Sequence, residues 1–265
     1  MKHIFFAAAV SAVLLVNNAS GTESDIRRRA IMDERLGQRI PGGLIFRDED
    51  GKSVSLEKLL DKPAIVSFVY LRCSSICPLL LGNLAATLDK VDLVPGEDYR
   101  VITISFDAAD TPEDAALKKK NYIKAAGKTF PESSWKFLTG DEESIRRLTG
   151  ALGFRYMKEG HGFSHPRGLI FLSPDGVVRR YLNGASFQPF DVKMALTESQ
   201  DKTSLSQFRL FSYSYARDEN RYVFNFLKIL GTVVVSFLAS LAFFYALTRR
   251  MRLQNSERSE KYINE

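Results

Sequence analysis

Apolar and polar positions along this chain change their period in a way that is typical of an α/β protein. Residues 64–70 and 99–106 are apolar-rich runs of the length expected for buried strands, and leucines recur at helical spacing over residues 79–88 between them. Turn and capping signals predict further elements: hairpins over residues 44–55 and 168–182, a short strand at 136–138, and helices from residue 110, from residue 141 and over 190–196.

Two hydrophobic segments lie outside this pattern. Basic residues and a short apolar core open the chain, and small residues near the end of the segment offer a cleavage site, so residues 1–21 are predicted to be a signal peptide. The second segment, residues 226–248, contains an uncharged stretch long enough to cross a bilayer, and Arg249 and Arg250 follow it. The positive-inside rule then leaves the tail, residues 249–265, in the cytoplasm. We therefore expect an exported domain on one C-terminal transmembrane helix.

The exported part is long enough for one domain with its own core. Residues 41–200 form this predicted domain, with a polar lead-in at residues 22–40 and an aromatic-rich juxtamembrane tether at residues 201–225. The formal net charge is +6, but part of it lies in the tail, and no alternation of basic and aromatic residues marks a nucleic-acid face. We therefore predict no nucleic-acid partner.

The sulfur chemistry of the chain is concentrated in its two cysteines, Cys73 and Cys77, which follow the 64–70 strand and precede Pro78. Strand, cysteine pair, helix, strand, helix, hairpin and helix is the element order of a thioredoxin-like fold. If residues 73–77 are helical, the two sulfurs share one face and can form a disulfide or bind a soft metal ion. A structural disulfide closing so short a loop would stabilise the fold little. Because a helix start stabilises negative charge, we also expect a lowered thiol pKa at one cysteine.

Two histidines of the predicted mature chain, His161 and His165, stand in a glycine-rich loop ahead of the 168–172 strand. In a thioredoxin-like sheet such a loop can approach the cysteine turn, although the two are far apart along the chain. Two thiolates and one imidazole suit copper in either oxidation state, and zinc accepts the same ligands.

Two acidic residues, Asp107 and Asp110, come directly after the second predicted strand. Functional groups in α/β proteins are usually placed there, but aspartate also favours turns and helix N-caps. We expect this pair to form a turn and, together with Thr111, to cap the next helix. The chain contains no phosphate-binding glycine loop, Ser-His-Asp signature or HExxH pair.

These motifs resemble those of the SCO/SenC family of copper-handling, thioredoxin-like proteins, which is named for its part in cytochrome oxidase assembly. Three pieces in order carry the resemblance: Cys73-x-x-x-Cys77-Pro78 after a strand, residues 105–113 after the next strand, and His165 ahead of the hairpin at 168–176. The similarity extends over residues 43–195. It implies that Cys73, Cys77 and His165 bind one copper ion, Cu(I) or Cu(II), whereas His161 has no counterpart in the family pattern.

The resemblance also implies a membrane-tethered copper chaperone that helps to assemble the copper centre of a heme–copper oxidase. Its expected partners are the copper-site subunit of that oxidase and an upstream copper donor or thiol reductant. The domain would lie on the periplasmic or outer face of a bacterial inner membrane. One difference from the commoner family pattern is the membrane anchor, which here follows the domain.

Two functions remain open from the sequence, one a binding protein and the other an enzyme. A copper chaperone transfers its ion without turnover and needs all three ligands. A thiol–disulfide oxidoreductase, acting on the oxidase copper site or on other exported proteins, needs only Cys73 and Cys77, with the more exposed thiol as nucleophile. Loss of His165 separates the two functions. A peroxidase is less favoured, because the threonine and arginine surroundings of a peroxidatic cysteine are not evident.

Overall fold

The structure of the chain is given by a computed structural model. Its described residues are 32–73, 76–127, 129–160, 162–200, 212–216 and 219–263, with side chains up to residue 250. The predicted signal peptide, most of the polar lead-in, His161 and the first half of the predicted tether therefore lie outside the described residues.

The described residues form eleven strands and six α-helices. Their order is β1 (Ile45–Arg47), β2 (Ser53–Ser55), α1 (Leu56–Leu59), β3 (Ala64–Val69), α2 (Ile76–Leu88), β4 (Arg100–Ser105), α3 (Pro112–Ala125), β5 (Trp135–Leu138), α4 (Glu142–Ala151), β6 (Met157–Glu159), β7 (Gly162–Ser164), β8 (Gly168–Leu172), β9 (Val178–Asn183), α5 (Pro189–Ser199), β10 (Tyr213–Ala216), β11 (Arg221–Phe224) and α6 (Phe226–Ile263).

A five-stranded mixed sheet forms the centre of the fold, in the strand order β5-β4-β3-β8-β9. β3, β4 and β5 are parallel, β8 is antiparallel to β3, and β9 is antiparallel to β8. The thioredoxin-like α/β fold predicted from the element order is therefore confirmed. Because β8 runs against β3, the residues that precede β8 emerge where β3 and β4 end. We call this end of the sheet, at the carboxyl ends of β3 and β4, the site edge.

Helices and loops cover both faces of the sheet. Along β3, Ile65 packs in the apolar layer that contains α2 and α5, whereas its neighbour Val66 packs in the layer that contains α1 and α4. This alternation follows from the two-residue period of a strand, and burial on both faces explains why the strand is apolar except at Ser67, whose hydroxyl lies 2.9 Å from that of Thr103. Cys73 and Cys77 belong to the α2 layer, so both are part of the core.

Local sequence signals account for most element boundaries. The predicted hairpins appear as the antiparallel pairs β1–β2 and β8–β9. Asp141 caps α4, accepting the backbone N–H of Ser144 at 2.8 Å. Thr111 caps α3: its side chain accepts the backbone N–H of Asp114, whose own side chain accepts the backbone N–H of Thr111. Of the two predicted capping residues, Asp110 and Thr111, the cap is therefore Thr111.

The long helix α6 carries the hydrophobic segment near the end of the chain. Its part Phe226–Arg250 is long and apolar enough to cross a membrane, with a mean hydropathy of 2.1, and none of its most apolar window is buried against the protein. A short hairpin of β10 and β11 lies immediately before it. Within the described residues there is thus one candidate membrane span, at the position predicted from the sequence.

Candidate metal centre

Cys73 and Cys77 lie where the chain turns from β3 into α2. Cys77 is in the first turn of the helix, whereas Cys73 precedes it, and the backbone N–H of Cys77 donates to Sγ of Cys73 over 3.4 Å. The Cys73 sulfur therefore accepts an amide at the helix start, as an N-cap side chain does. Both thiols are buried, and the two cysteines are not joined by a disulfide bond. The two sulfurs are neighbours although Cys73 lies before Ile76, the first residue of α2.

The environment of Cys77 is dominated by its burial. Burial raises the pKa of the Cys77 thiol above its usual range, and the adjacent Cys73 thiol raises it further. The charge of Lys118 acts in the opposite direction without reversing the shift. The lowered pKa expected for a thiol at a helix start is therefore wrong for Cys77, because desolvation outweighs the helix dipole.

His165 reaches the cysteine turn from the segment ahead of β8. Its Nε2 lies 3.8 Å from Sγ of Cys77, across 88 residues of sequence. Its Nδ1 lies 2.8 Å from the carbonyl oxygen of Pro166, and since a carbonyl can only accept, Nδ1 carries the ring proton. Burial lowers the pKa of the imidazole below its usual value. The ring is therefore neutral at neutral pH, and the lone pair of Nε2 faces the sulfur.

The spacing of these two donors suits a shared metal ion. Metal–sulfur and metal–nitrogen bonds of about 2.3 Å and about 2.0–2.1 Å, at a trigonal angle of about 120°, place the donors roughly 3.8 Å apart. The observed separation between Sγ of Cys77 and Nε2 of His165 is 3.8 Å. Within the described residues, no three Cys, His, Asp or Glu side chains are assembled as a complete metal cluster. Among the described residues, Cys77 and His165 thus form a two-donor pair, with Cys73 beside it.

Aromatic rings enclose the imidazole. The centroids of the Phe106, Phe154 and Tyr70 rings lie 5.1, 6.0 and 6.0 Å from that of His165. Phe163 on β7 packs against Phe106 at 5.4 Å and against Tyr70 at 5.2 Å. These rings pack around the imidazole and partly desolvate it, which explains the lowered pKa of His165.

Tyr70 is a neighbour of the site that the sequence analysis treated only as the end of a strand. A hydrogen bond with the Cys73 side chain, together with burial, raises the pKa of Tyr70 to about 12. The phenol therefore stays protonated and can donate to the sulfur. Its place three residues before Cys73, at the carboxyl end of β3, is the sequence signal that could have identified it.

A buried carboxylate holds the chain just before the cysteine turn. Asp110 accepts the backbone N–H of Leu71 at 2.6 Å, the hydroxyl of Ser105 at 2.6 Å and Nε of Arg72 at 3.0 Å. Asp107 takes the other side of the same guanidinium, at 2.7 Å, and forms the predicted turn. Asp110 thus joins the end of β4 to the cysteine turn, a tertiary role that capping and turn propensities did not indicate.

The fold and these donors define a thioredoxin-like protein with a thiol–imidazole site at the carboxyl end of its central strand. The model of the SCO1/SenC family matches residues 33–198, and the chain belongs to this family. The hairpin of β10 and β11 and the helix α6 lie after the matched region.

Two curated relatives and one solved structure agree with this assignment. The SCO1 protein homolog of Bacillus subtilis (strain 168) is 30% identical over 152 residues, which cover 55% of this chain and 75% of the relative. A Stutzerimonas stutzeri protein named "Putative copper-binding protein" is 27% identical over 141 residues, 51% of this chain and 65% of the relative. A crystal structure of an Aquifex aeolicus VF5 protein matches with a TM-score of 0.57 and 31% identity, covering 62% of this chain and 94% of that one. Sco proteins crystallised with copper bound also match, at 21 to 24% identity and TM-scores of 0.44 to 0.48.

Proposed function

We propose that this chain is a copper chaperone that binds one copper ion through Cys73, Cys77 and His165. The observation that carries the proposal is the 3.8 Å approach of Nε2 of His165 to Sγ of Cys77, with the ring proton held on the opposite nitrogen by Pro166. Two thiols and a neutral imidazole form a donor set for copper or zinc. Membership of the SCO1/SenC family and the name of the Stutzerimonas relative favour copper.

In this proposal copper is the cargo of the protein. Three protein donors leave room in the coordination sphere for a ligand from the client, so the ion can pass by ligand exchange. The client is the copper-site subunit of a heme–copper oxidase, and an upstream copper donor or thiol reductant prepares the site. The signal peptide exports residues 41–200 to the periplasmic face of a bacterial inner membrane, and α6 tethers them there.

A thiol–disulfide oxidoreductase is the alternative function, with Cys73 and Cys77 as the redox pair. The proximity of the two reduced thiols favours it. However, the reaction needs an accessible thiolate, and Cys73 and Cys77 are only 3% and 4% exposed. The raised pKa of Cys77 further reduces its thiolate fraction at neutral pH. Burial thus supports metal binding over rapid exchange with large substrates.

The test is a Cu(I) titration of the reduced full-length protein in detergent, in competition with a chromogenic chelator. We expect one copper ion per chain, and a loss of affinity of more than about 100-fold in His165→Ala, above the range for an outer-shell partner. The matched control is His161→Ala, four residues earlier in the sequence, which should bind as the unchanged protein does. Rapid disulfide exchange by a protein that binds no stoichiometric copper would favour the oxidoreductase instead.

A further inference from the structure

We propose that three aromatic rings, those of Phe190, Tyr213 and Phe224, contact the lipid interface of the membrane that α6 enters and anchor the domain there. We call these three residues the aromatic seat. The inference rests on the proposed membrane span, and it assigns a fixed geometry to the second half of the predicted tether. The occupant of the seat is the headgroup and upper acyl-chain region of the bilayer.

The first observation is that the hairpin before α6 is fastened to the domain. Its turn residue Asn220 has a positive φ of 51° and pairs its side-chain amide with the backbone of Asn183. Nδ2 of Asn220 donates to the Asn183 carbonyl at 2.6 Å, and its Oδ1 accepts the Asn183 N–H at 2.8 Å. Asn183 ends β9 and is paired with Gly168 at the start of β8. The turn of the hairpin is therefore attached at the site edge.

The strands of the hairpin are held along their length as well. The buried carboxylate of Asp191 accepts the backbone N–H of Tyr222 at 2.8 Å. The Arg180 guanidinium makes two hydrogen bonds to Glu198, at 2.7 and 2.9 Å, and lies over the rings of Tyr215 and Tyr222, at 4.5 and 5.7 Å from their centroids. A stacked, doubly hydrogen-bonded guanidinium fixes both partners, so the hairpin has a defined position on β9 and α5.

The hairpin also continues into α6 without a free linker. The N–H of Asn225 donates to the Ser212 carbonyl at 2.9 Å, which closes the open end of the hairpin. The side-chain Oδ1 of Asn225 accepts the N–H of Lys228 at 3.2 Å, which caps the first turn of α6. One residue thus joins the last strand to the candidate span through hydrogen bonds on both sides, and the start of α6 is oriented by the domain.

The aromatic seat lies at this junction. The ring of Tyr213 is 5.1 Å from that of Phe190 and 5.3 Å from that of Phe224. Phe190 and Phe224 are 43% and 53% exposed, and outside α6 they are the exposed phenylalanines of the described residues. Phe224 stands two residues before Phe226, so it lies within about 7 Å of the start of the span. Aromatic rings at that depth are typical anchors at the membrane–water interface.

A domain seated in this way keeps a constant distance from the bilayer. Phe190 belongs to α5 of the domain and Phe224 to the hairpin, so the seat joins the two to one lipid surface. The site edge, to which the hairpin turn is attached, then keeps one height above the membrane. This arrangement suits a client whose copper site is itself held close to the membrane.

The test measures contact of Phe190 with lipid in the full-length protein reconstituted into phosphatidylcholine vesicles. The variant Phe190→Trp is compared in vesicles with and without lipids brominated at the upper part of the acyl chain. The matched control is Leu117→Trp on α3, which is 64% exposed and remote from the seat. The buried native Trp135 fluoresces in every variant, and its signal, measured in the unchanged protein, is subtracted. We expect at least twofold greater bromine quenching for Phe190→Trp, and equal quenching would overturn the proposal.

A second variant tests the fixed geometry. Asn220→Gly tolerates the positive φ but removes both amide contacts to Asn183. In the Phe190→Trp background it should lower the quenching toward that of the Leu117→Trp control. Unchanged quenching would show that the Asn220 contacts do not hold the hairpin. It would overturn the claim that the hairpin has a fixed position on the domain.

Failure of this inference can be told apart from failure of the proposed function. Copper is titrated into the same vesicles, and an alkaline wash measures retention of the chain. Loss of copper binding with intact quenching would overturn the chaperone and support the seat. Stoichiometric copper binding by a chain that the wash releases would overturn the span and the seat together.

Discussion

The metal-site region and the C-terminal hairpin are both attached to the site edge, but by contacts of different kinds. Around the thiols and His165, the contacts are made by buried rings such as Phe106 and by the buried carboxylate of Asp110. The hairpin is held by the partly exposed side chains of Asn220 and Arg180 and by one buried carboxylate, that of Asp191. The family match also ends at residue 198, between the two regions.

This difference indicates that the site lies inside the domain that the family match covers, whereas the hairpin follows that domain and packs against its core through Tyr222. A substitution that loosens the rings around His165 should change both stability and metal binding, because the same atoms serve both. A substitution in the hairpin should change the position of the domain relative to α6. It should leave the thiol and imidazole donors in place. The four predictions below test that separation, and the single Trp135 in the core is a convenient fluorescence reporter of unfolding.

The largest effect is expected at the centre of the aromatic cluster. Phe106→Ala should lower the free energy of unfolding by about 3–5 kcal/mol through cavity formation. It should also weaken copper binding by about 10- to 100-fold, the range for an outer-shell partner. The control is Phe137→Ala, a fully buried phenylalanine that packs on Trp135 and Tyr122 instead of on His165.

Denaturant unfolding and copper titration decide the outcome. Phe137→Ala should show the same loss of stability with unchanged copper affinity, and if it weakened copper binding as much, the rings near His165 would have no special role. Phe106→Leu provides a milder version should the alanine variant fail to fold.

The next effect concerns the carboxylate that holds the cysteine turn. Asp110→Ala leaves the buried Leu71 N–H and Ser105 hydroxyl without their acceptor, so it should cost about 3 kcal/mol of unfolding free energy. Asp107→Ala removes the other partner of Arg72 at a more exposed position and should cost much less. Equal losses, measured by urea denaturation, would place the support of the turn in the Arg72 ion pair and not in Asp110.

A smaller effect is expected in the hairpin. Arg180→Lys keeps the charge but loses the two-bond pairing with Glu198 and the stacking on Tyr215, so it should cost about 1 kcal/mol. Copper affinity should not change. The control is Arg179→Lys on the neighbouring position of β9, whose charge partner Asp175 is 3.9 Å away. A loss of copper affinity in Arg180→Lys would contradict the independence of the two regions.

The smallest effect is a pH dependence within the hairpin contacts. Burial raises the pKa of Asp191, and the hydrogen bond from the Tyr222 N–H only partly offsets it. The native state therefore binds this proton more tightly than the unfolded state, whose pKa is about 3.9. Stability contributed by this group falls as pH rises from the unfolded pKa through the raised native one.

Asp191→Asn keeps an oxygen acceptor for Tyr222 and removes the titration. The variant should gain stability relative to the unchanged protein as pH rises through that window, and the gain should then level off. Denaturant unfolding at several pH values measures it. If the variant instead gained stability relative to the unchanged protein as the pH falls, the native pKa of Asp191 would be lowered and not raised.

Local sequence patterns determined a large part of this fold. The five strands of the central sheet, the hairpins β1–β2 and β8–β9 and the cysteine pair at a strand-to-helix turn were predicted because side-chain periodicity and turn chemistry depend on near neighbours. The hairpin β6–β7, where a loop was predicted, and the hairpin β10–β11, where a tether was predicted, were not. The family resemblance, carried by the motifs around Cys73, Cys77 and His165, was also readable, and the family itself is confirmed. The ligand set and the transmembrane topology remain predictions.

Only the tertiary structure decided which side chains meet and how each is solvated. The approach of His165 to Cys77 spans 88 residues and depends on β8 pairing with β3. The same order of strands brings Asp110 to Leu71, and folding buries Cys77 enough to raise its pKa where the helix start alone predicts a lower one. Pairing between distant strands and the desolvation it causes are properties of the whole fold, so local patterns carry no record of them.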